Sequence, residues 1–148
     1  MLEDFIESNK LKSRIIDYPT ETSMDLIAAK NFFPKNQLVK TQLFITKKNE
    51  LFLTIIQFHS EIDFKKLKAL LNEDEFLEAD ESECLDITGY KKSFLPPISI
   101  YGVTILIDNS LKEKNSIISK VSEKQVLETK LEELISFNED VLFADLIL

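Results

Sequence analysis

The chain contains few of the residues on which common catalytic and cofactor sites are built. Two glycines in 148 residues leave no GxGxxG or GxxxxGK[ST] loop of the kind that holds nucleotide phosphates. One histidine, His59, and one cysteine, Cys84, exclude zinc fingers, histidine-based metal triads and disulfide frameworks. We therefore expect neither a metal nor an organic cofactor.

Long apolar runs are absent as well. No segment approaches the length needed to cross a membrane, and the first ten residues are acidic where a signal peptide would be basic. The chain is 44% hydrophobic and 30% charged, which is typical of a folded domain in water. Its length suits one domain, residues 1–148, that buries a core without a metal or disulfide. We expect a cytoplasmic protein that does not bind membranes.

The charge balance disfavours an ordinary nucleic-acid-binding protein. The chain carries 18 basic and 26 acidic side chains, a formal net charge of −8, and a phosphate backbone repels such a surface. The charge is uneven, because residues 1–70 hold 11 basic and 9 acidic side chains whereas residues 71–148 hold 7 and 17. The first part can still contact a phosphate, while the bulk negative charge favours solubility.

The apolar periodicity and the capping residues predict a mixed domain of helices and strands. Helices are predicted over residues 2–10, 81–87 and 130–137, and two more begin at Thr22 and after Asp63. The helix from Thr22 has Met24, Ile27, Ala28 and Phe32 on its buried face. Gly89 follows the helix of residues 81–87, and Thr129 is the predicted cap of the last helix. Strands are predicted over residues 38–45, 51–58, 98–101, 103–107, 117–121 and 126–128, the first two as a hairpin. This order lacks repeated βαβ units and favours an α+β fold.

Three clusters have a chemical and a plainer interpretation. Cys84 and His59 would form a nucleophile–base pair if the fold joined them, but the eight acids of residues 73–86 disfavour a thiolate. That acidic run offers oxygen ligands to a hard cation, yet it lacks the spacing and glycine of an EF-hand and is typical of a solvated face. The lysines of residues 47–48, 65–68 and 91–92 suit phosphate contacts or ordinary surface positions equally.

A set of short motifs lies in order along most of the chain. The motifs are Asp17-Tyr18-Pro19, Ala28-Ala29, Val39-Lys40-Thr41, Ala79-Asp80, Thr88-Gly89-Tyr90, Pro96-Pro97 and Ile107-Asp108-Asn109-Ser110-Leu111. In this combination the sequence resembles the YbaK/ProX family, the aminoacyl-tRNA deacylases related to the editing insertion domain of bacterial prolyl-tRNA synthetase.

The resemblance implies both a fold and an activity. The family fold is α+β, a single mixed and curved β-sheet flanked by helices. Family members hydrolyse the ester between a wrongly attached small amino acid and the tRNA 3′ end, because binding alone rejects small amino acids too weakly. The implied partner is the tRNA 3′ end, with a tRNA synthetase as a candidate second partner, and no metal takes part.

The resemblance also assigns site residues. The family's essential lysine on the Val-Lys-Thr strand corresponds to Lys40, whose ammonium would hold a phosphate or the ribose and orient the ester. The plainer interpretation is an edge-strand lysine that opposes aggregation. The resemblance places Thr41, Ser93 and Pro97 around the pocket and Tyr18 at its mouth. Water would attack, and N–H groups of residues 93–97 would stabilise the oxyanion.

One family feature, a Gly-x-x-x-Pro loop, is altered in this sequence. Pro97 matches the proline, but Ser93 and Phe94 stand where glycines are usual, and Ser99 replaces the glycine just past the proline. Glycine permits close backbone approach and positive φ, which serine and phenylalanine adopt only at a cost. Two interpretations stay open: a reshaped pocket that edits a different amino acid, or a non-catalytic module that binds tRNA, an oligonucleotide or a protein.

Overall fold

The computed structural model describes residues 1–31 and 33–148, which contain five α-helices and eight strands. The helices are α1 (Leu2–Ser8), α2 (Met24–Asn31), α3 (Phe64–Leu71), α4 (Glu81–Thr88) and α5 (Leu131–Ser136). The strands are β1 (Arg14–Asp17), β2 (Val39–Thr46), β3 (Leu51–Gln57), β4 (Phe76–Glu78), β5 (Thr104–Asp108), β6 (Ser116–Ser122), β7 (Gln125–Lys130) and β8 (Asp140–Ala144). No described helix is long and apolar enough to span a membrane.

The strands form two sheets that meet near the start of β2. A five-stranded sheet has the order β4-β2-β3-β5-β8, with antiparallel pairs up to β3 and parallel pairs beyond it. A smaller antiparallel sheet has the order β1-β7-β6, and a parallel bridge between Leu38 and Ile118 joins the two. The α+β class with a mixed sheet flanked by helices is confirmed, but the strands divide between two sheets where we expected one.

The large sheet is buried on both faces, which explains the nearly continuous apolar runs of its central strands. On one face of β2, Val39 packs into the main core together with Leu95. On the other face, Phe44 packs against Leu67 of α3, and Leu38 packs against α2. Since successive side chains of a strand point to opposite faces, neighbouring residues of β2 contact different layers of the protein.

Local capping signals position two of the helices as predicted. The Asp63 carboxylate accepts hydrogen bonds from the backbone N–H groups of Lys65 and Lys66 at 2.9 and 3.3 Å and so begins α3. Gly89 ends α4 in the left-handed region, with φ +80°. The structure adds a capping box that the sequence analysis did not assign, between Asp80 and Glu83 at the start of α4.

Some element boundaries predicted from the sequence are wrong. Residues 98–101 do not form the predicted strand: the first two lie in a bend, and the other two have no regular secondary structure. The strands β1 and β4 were missed because they are short and lie at sheet edges with little apolar alternation. Thr129 belongs to β7 and does not cap α5.

The start of α2 also differs from the prediction. Ser23, and not Thr22, is its cap, since the Ser23 hydroxyl accepts from the N–H of Leu26 at 3.3 Å. Thr22 instead donates its hydroxyl hydrogen to the carbonyl oxygen of Thr20. Phe32, which we assigned to the apolar face of this helix, lies outside the described residues.

Candidate functional site

Lys40 lies on β2, close to the bridge that joins the two sheets. Its Nζ is 3.1 Å from Oε1 of Glu61, and its side chain is 28% exposed whereas that of Glu61 is 72% exposed. The residue opposite it on β3, Ile56, is fully buried. A lysine in this setting covers apolar surface with its stem while its ammonium reaches the edge of the protein. The ammonium is therefore held in a defined place by a counter-ion that solvent can reach.

The backbone around Glu61 is fastened by residues 145–148. The carbonyl oxygen of Glu61 accepts from the N–H of Leu148 at 3.1 Å, and the N–H of Asp63 donates to the carbonyl oxygen of Leu146 at 2.8 Å. Lys66 adds an ion pair with Asp145 at 2.9 Å, and that hydrogen bond raises the Lys66 pKa. These contacts fix the backbone from which Glu61 reaches Lys40.

Asp108, in the last position of β5, anchors the same segment from inside. It is only 2% exposed, and its two carboxylate oxygens accept from the backbone N–H groups of Leu146 at 2.9 Å and Ser110 at 3.0 Å. A buried carboxylate is tolerated when charge-assisted hydrogen bonds satisfy it. The motif Ile107-Asp108-Asn109-Ser110-Leu111 thus has a structural role, tying a strand end to the chain segment next to Lys40.

Thr41 faces the opposite side of β2 from Lys40. Its Oγ1 donates a hydrogen bond to the carbonyl oxygen of Leu95 at 2.7 Å, inside the loop of residues 93–97. Lys40 instead shares its face with Ile56, on the other side of the strand. The structure therefore brings Thr41 to the loop but places the Lys40 side chain on the other face of the same strand.

The loop itself adopts an ordinary backbone where the family pattern has glycine. Lys92–Phe94 form a 3-10 turn, closed by the N–H of Phe94 donating to the carbonyl oxygen of Lys91 at 2.9 Å. Neither Ser93 nor Phe94 has a positive φ. Ser93 is exposed, whereas Pro97 is buried and its carbonyl oxygen accepts from Nδ2 of Asn138 at 3.0 Å. Non-glycine residues fit this loop because the turn does not demand glycine at these two positions.

Ser99 is different, because its backbone adopts a positive φ, which favours glycine. Its φ is +72°, in the left-handed region that costs a residue with a Cβ roughly 1–2 kcal/mol. The Ser99 hydroxyl lies 2.9 Å from the phenol oxygen of Tyr90, a hydrogen bond that offsets part of this strain. Burial raises the pKa of that phenol. The chain past Pro97 therefore adopts a backbone conformation that favours glycine, although serine occupies the position.

Tyr18 follows β1 and is half-buried. Its backbone N–H donates to the carbonyl oxygen of Lys124 at 2.8 Å, and its ring packs with the apolar residues of α2 and the start of β2. It thus lies between the turn that joins β6 to β7 and the layer that contains Leu38. Tyr18 packs against the cluster that contains Leu38, which lies two residues before Lys40, and nothing in the local sequence signals that contact.

His59 and Cys84 differ in exposure and contact different parts of the protein. Nε2 of His59 is 3.0 Å from Oδ1 of Asp25 on α2, and both side chains are about half exposed. Cys84 is fully buried in the main core. The two residues therefore do not form the nucleophile–base pair that we weighed. The contact of His59 with Asp25 of α2 was missed because it depends on packing between elements that are not neighbours in the sequence.

The chemistry of Cys84 is that of an inert core residue. Burial raises the pKa of its thiol to about 11. We expect iodoacetamide to alkylate Cys84 in the folded protein at pH 8 on the order of 100-fold more slowly than a free cysteine, because the thiolate is scarce and shielded. The rate should rise with pH towards the thiol pKa, and mass spectrometry after timed quenching measures it.

The unfolded protein in concentrated urea is the control for this prediction. There the thiol regains an ordinary pKa and should react at the rate of a free cysteine. Rapid labelling of the folded protein would contradict the burial of Cys84 and restore it as a candidate nucleophile.

Metal ligation has no support in the described part of the chain. Within residues 1–31 and 33–148, no group of three histidine, cysteine or acidic side chains is arranged to hold a metal ion.

Comparison with known proteins identifies the family. Residues 18–137 match the model of the aminoacyl-tRNA editing domain. The chain is 29% identical over 89 residues to the proline–tRNA ligase of Aquifex aeolicus, and 27% identical over 104 residues to that of Pseudothermotoga lettingae. These matches cover 60% and 70% of this chain but only 16% and 18% of the ligases, so the chain spans less than a fifth of their length.

Solved structures share the fold over nearly the whole chain. The hypothetical protein APE2540 superimposes with a TM-score of 0.83 at 19% identity, covering 99% of both chains. A proposed trans-editing enzyme for prolyl tRNA synthetase superimposes with a TM-score of 0.84 at 18% identity, covering 99% of this chain and 94% of the other. The resemblance to the YbaK/ProX family is confirmed. The chain belongs to the family of aminoacyl-tRNA editing domains.

Proposed function

We propose that this chain is an aminoacyl-tRNA deacylase that removes a small, wrongly attached amino acid from tRNA in trans. Membership of the editing-domain family supports the deacylase role, and the similarity to part of two proline–tRNA ligases supports a tRNA substrate. The observation that carries the proposal is the state of Lys40, a partly buried lysine whose ammonium pairs with an exposed carboxylate at the family's lysine position.

The pairing of Lys40 with Glu61 suits a binding site in which a substrate oxygen replaces the Glu61 carboxylate beside the ammonium. A surface ion pair of this kind contributes about 1 kcal/mol or less, so a phosphate or ribose oxygen of the tRNA 3′ end can displace Glu61 at little cost. The stem of Lys40 stays packed during this exchange. The ammonium is thus already in position for a phosphate or ribose oxygen of the 3′ end, on the face of β2 opposite to the loop of residues 93–97, which lowers the entropic cost of binding the 3′ end.

The loop of residues 93–97 is proposed to stabilise the negative charge that forms on the ester carbonyl oxygen during hydrolysis. A water molecule adds to the ester carbonyl carbon, the bond between that carbon and the ribose oxygen then breaks, and the leaving ribose oxygen takes up a proton from that water to become a hydroxyl. Pro96 and Pro97 have no N–H, and that of Phe94 is bound within the turn, so the amides of Ser93 and Leu95 are the proposed oxyanion donors. Thr41 holds the carbonyl group of Leu95 and thereby positions the loop.

The direct test is hydrolysis of a panel of tRNAs, each charged with a wrong small amino acid. We expect the purified protein to release the amino acid from at least one member faster than spontaneous hydrolysis, while the correctly charged tRNA of the same pair stays intact. Release is measured from acid-precipitable radioactive aminoacyl-tRNA over time. Spontaneous rates on every member of the panel would contradict the proposal.

A non-catalytic binding module is the second candidate function. It is favoured by the opposite orientation of Lys40 and Thr41 on β2, together with Ser93 and Phe94 at the glycine positions. If hydrolysis was lost only because the loop backbone cannot approach the ester, the double variant Ser93→Gly/Phe94→Gly should show deacylation that the parent lacks. Activity in the parent chain itself would eliminate this candidate.

A further inference from the structure

Phe94, the aromatic residue that interrupts the glycine pattern, lines an open cavity. The cavity has a volume of about 500 Å³ and is lined by residues 89–91, Phe94 and residues 121–124. It lies between the end of α4, the 3-10 turn and the turn that joins β6 to β7. The Phe94 ring is partly exposed, so it presents a surface to the cavity instead of filling the core.

Two exposed lysines flank this ring. Lys91 and Lys124 both line the cavity, and within the described residues neither ammonium takes part in an ion pair. Glu123 is the one carboxylate among the lining residues, so the lining carries a net positive charge in a chain whose net charge is −8. Unpaired cations are the groups that release counter-ions when they meet phosphates.

The walls of the cavity are fixed by hydrogen bonds that leave the Phe94 ring and the ammonium groups of Lys91 and Lys124 free of these bonds. The turn before Phe94 is closed by its own backbone bond to Lys91, and the carbonyl oxygen of Lys124 is bound by the N–H of Tyr18. Tyr90 is fixed by the hydrogen bond of its phenol to Ser99. The Phe94 ring and the two ammonium groups are therefore presented on a scaffold that is already ordered.

We propose that this cavity binds a nucleotide of single-stranded RNA, with the base stacked on Phe94 and adjacent phosphates held by Lys91 and Lys124. An aromatic face combined with a cationic rim is the arrangement by which proteins bind single strands. That the strand is the 3′ end of tRNA rests on the proposed function; the binding of single-stranded RNA does not. Phe94 then supplies a contact that a glycine at this position cannot make.

Two other cavities of similar size lack either the positive charge or the aromatic side chain. The cavity beside β4, about 490 Å³, is lined by Glu75, Glu78, Asp80 and Glu83 against a single lysine, and these carboxylates repel phosphate. The cavity at the start of α5, about 520 Å³, is lined by Lys12, Lys114 and Lys130 but has no aromatic residue. The cavity of Phe94 combines cations with a stacking face.

The test is a binding titration of fluorescently labelled cytidyl-cytidyl-adenosine with the full chain, measured by anisotropy at several salt concentrations. We expect Phe94→Leu, which keeps an apolar side chain but removes the ring, to weaken binding roughly 10-fold. Phe94→Tyr should retain the affinity. Lys91→Gln and Lys124→Gln should each lower the slope of log affinity against log salt by about 0.7.

Lys48→Gln is the matched control, because Lys48 is also an exposed turn lysine without an ion pair in the described structure but lies outside this cavity. It should change neither the affinity nor the salt slope. No binding by the parent chain, or equal binding by Phe94→Leu and the parent, overturns the inference. So does a salt slope that falls equally in Lys48→Gln.

The outcomes separate this inference from the proposed function. RNA binding that depends on Phe94, in a chain that hydrolyses no aminoacyl-tRNA, sustains the inference and rejects the deacylase. Deacylation by the parent with binding unaffected by Phe94→Leu sustains the deacylase and rejects the nucleotide site.

Discussion

Replacing Lys40 by alanine is expected to lower kcat/KM for deacylation on the order of 100-fold, the largest loss of activity that we predict. The ammonium is the charged group proposed to hold the 3′ end, and a hydrogen bond to a charged group contributes about 1.5–3 kcal/mol, which reaches on the order of 100-fold. The assay is the initial rate of amino acid release from the best mischarged tRNA of the panel. The free energy of unfolding should change little, because the Glu61 pair is at the surface.

Lys47→Ala is the matched control for this experiment. Lys47 directly follows β2 and also pairs with a glutamate, Glu75, at 3.3 Å, but it is 71% exposed and far along the strand from the candidate site. We expect it to retain the parent activity. Full activity of Lys40→Ala, or an equal loss in Lys47→Ala, would remove Lys40 from the mechanism.

The largest loss of stability is expected for Asp108→Ala. This change leaves the buried N–H of Leu146 and the partly exposed N–H of Ser110 without their acceptor, which should lower the free energy of unfolding by roughly 2–4 kcal/mol. Because the same carboxylate anchors the segment that fastens Glu61, protection of the amides of residues 145–148 from hydrogen exchange should fall as well. Urea denaturation followed by circular dichroism measures the first effect.

Asp140→Ala provides the comparison for Asp108. Asp140 is also an aspartate in a terminal position of a parallel strand, since it is the first residue of β8 in the same sheet, but it is exposed. An exposed position of this kind should change stability by no more than about 0.5 kcal/mol. Equal stability of the two variants would show that the buried hydrogen bonds of Asp108 do not hold this segment.

Several parts of the fold could be predicted from the sequence because their causes are local. Asp63 caps α3 through N–H groups two and three residues away, and Gly89 ends α4 through its own backbone freedom. The hairpin of β2 and β3 follows from two apolar runs around a polar turn. Prediction failed where the cause is distant: β1 exists because β7 pairs with it, more than a hundred residues later in the chain.

The motif Val39-Lys40-Thr41 shows the same division within the candidate site. Its match to the family identified Lys40 and Thr41 as residues of interest, but not which partners they meet. Strand alternation sends the two side chains to opposite faces, where one finds Glu61 and the other Leu95. From the sequence, Ser93 and Phe94 were expected to fit poorly, because glycine is usual at both positions. The structure shows a 3-10 turn in which neither residue has a positive φ, so glycine is not needed at either position.

The family, the α+β class, the start of α3 and the end of α4 could be predicted from the chain alone, since they depend on residue types and near neighbours. The contact of Lys40 with Glu61, the anchoring of residues 145–148 by Asp108 and the cavity that Phe94 shares with Lys91 and Lys124 became visible only in the folded protein. The difference lies in the sequence distance over which each cause acts. Capping and periodicity act within a turn or a strand, whereas these contacts arise from the packing of two sheets whose strands are far apart in the chain.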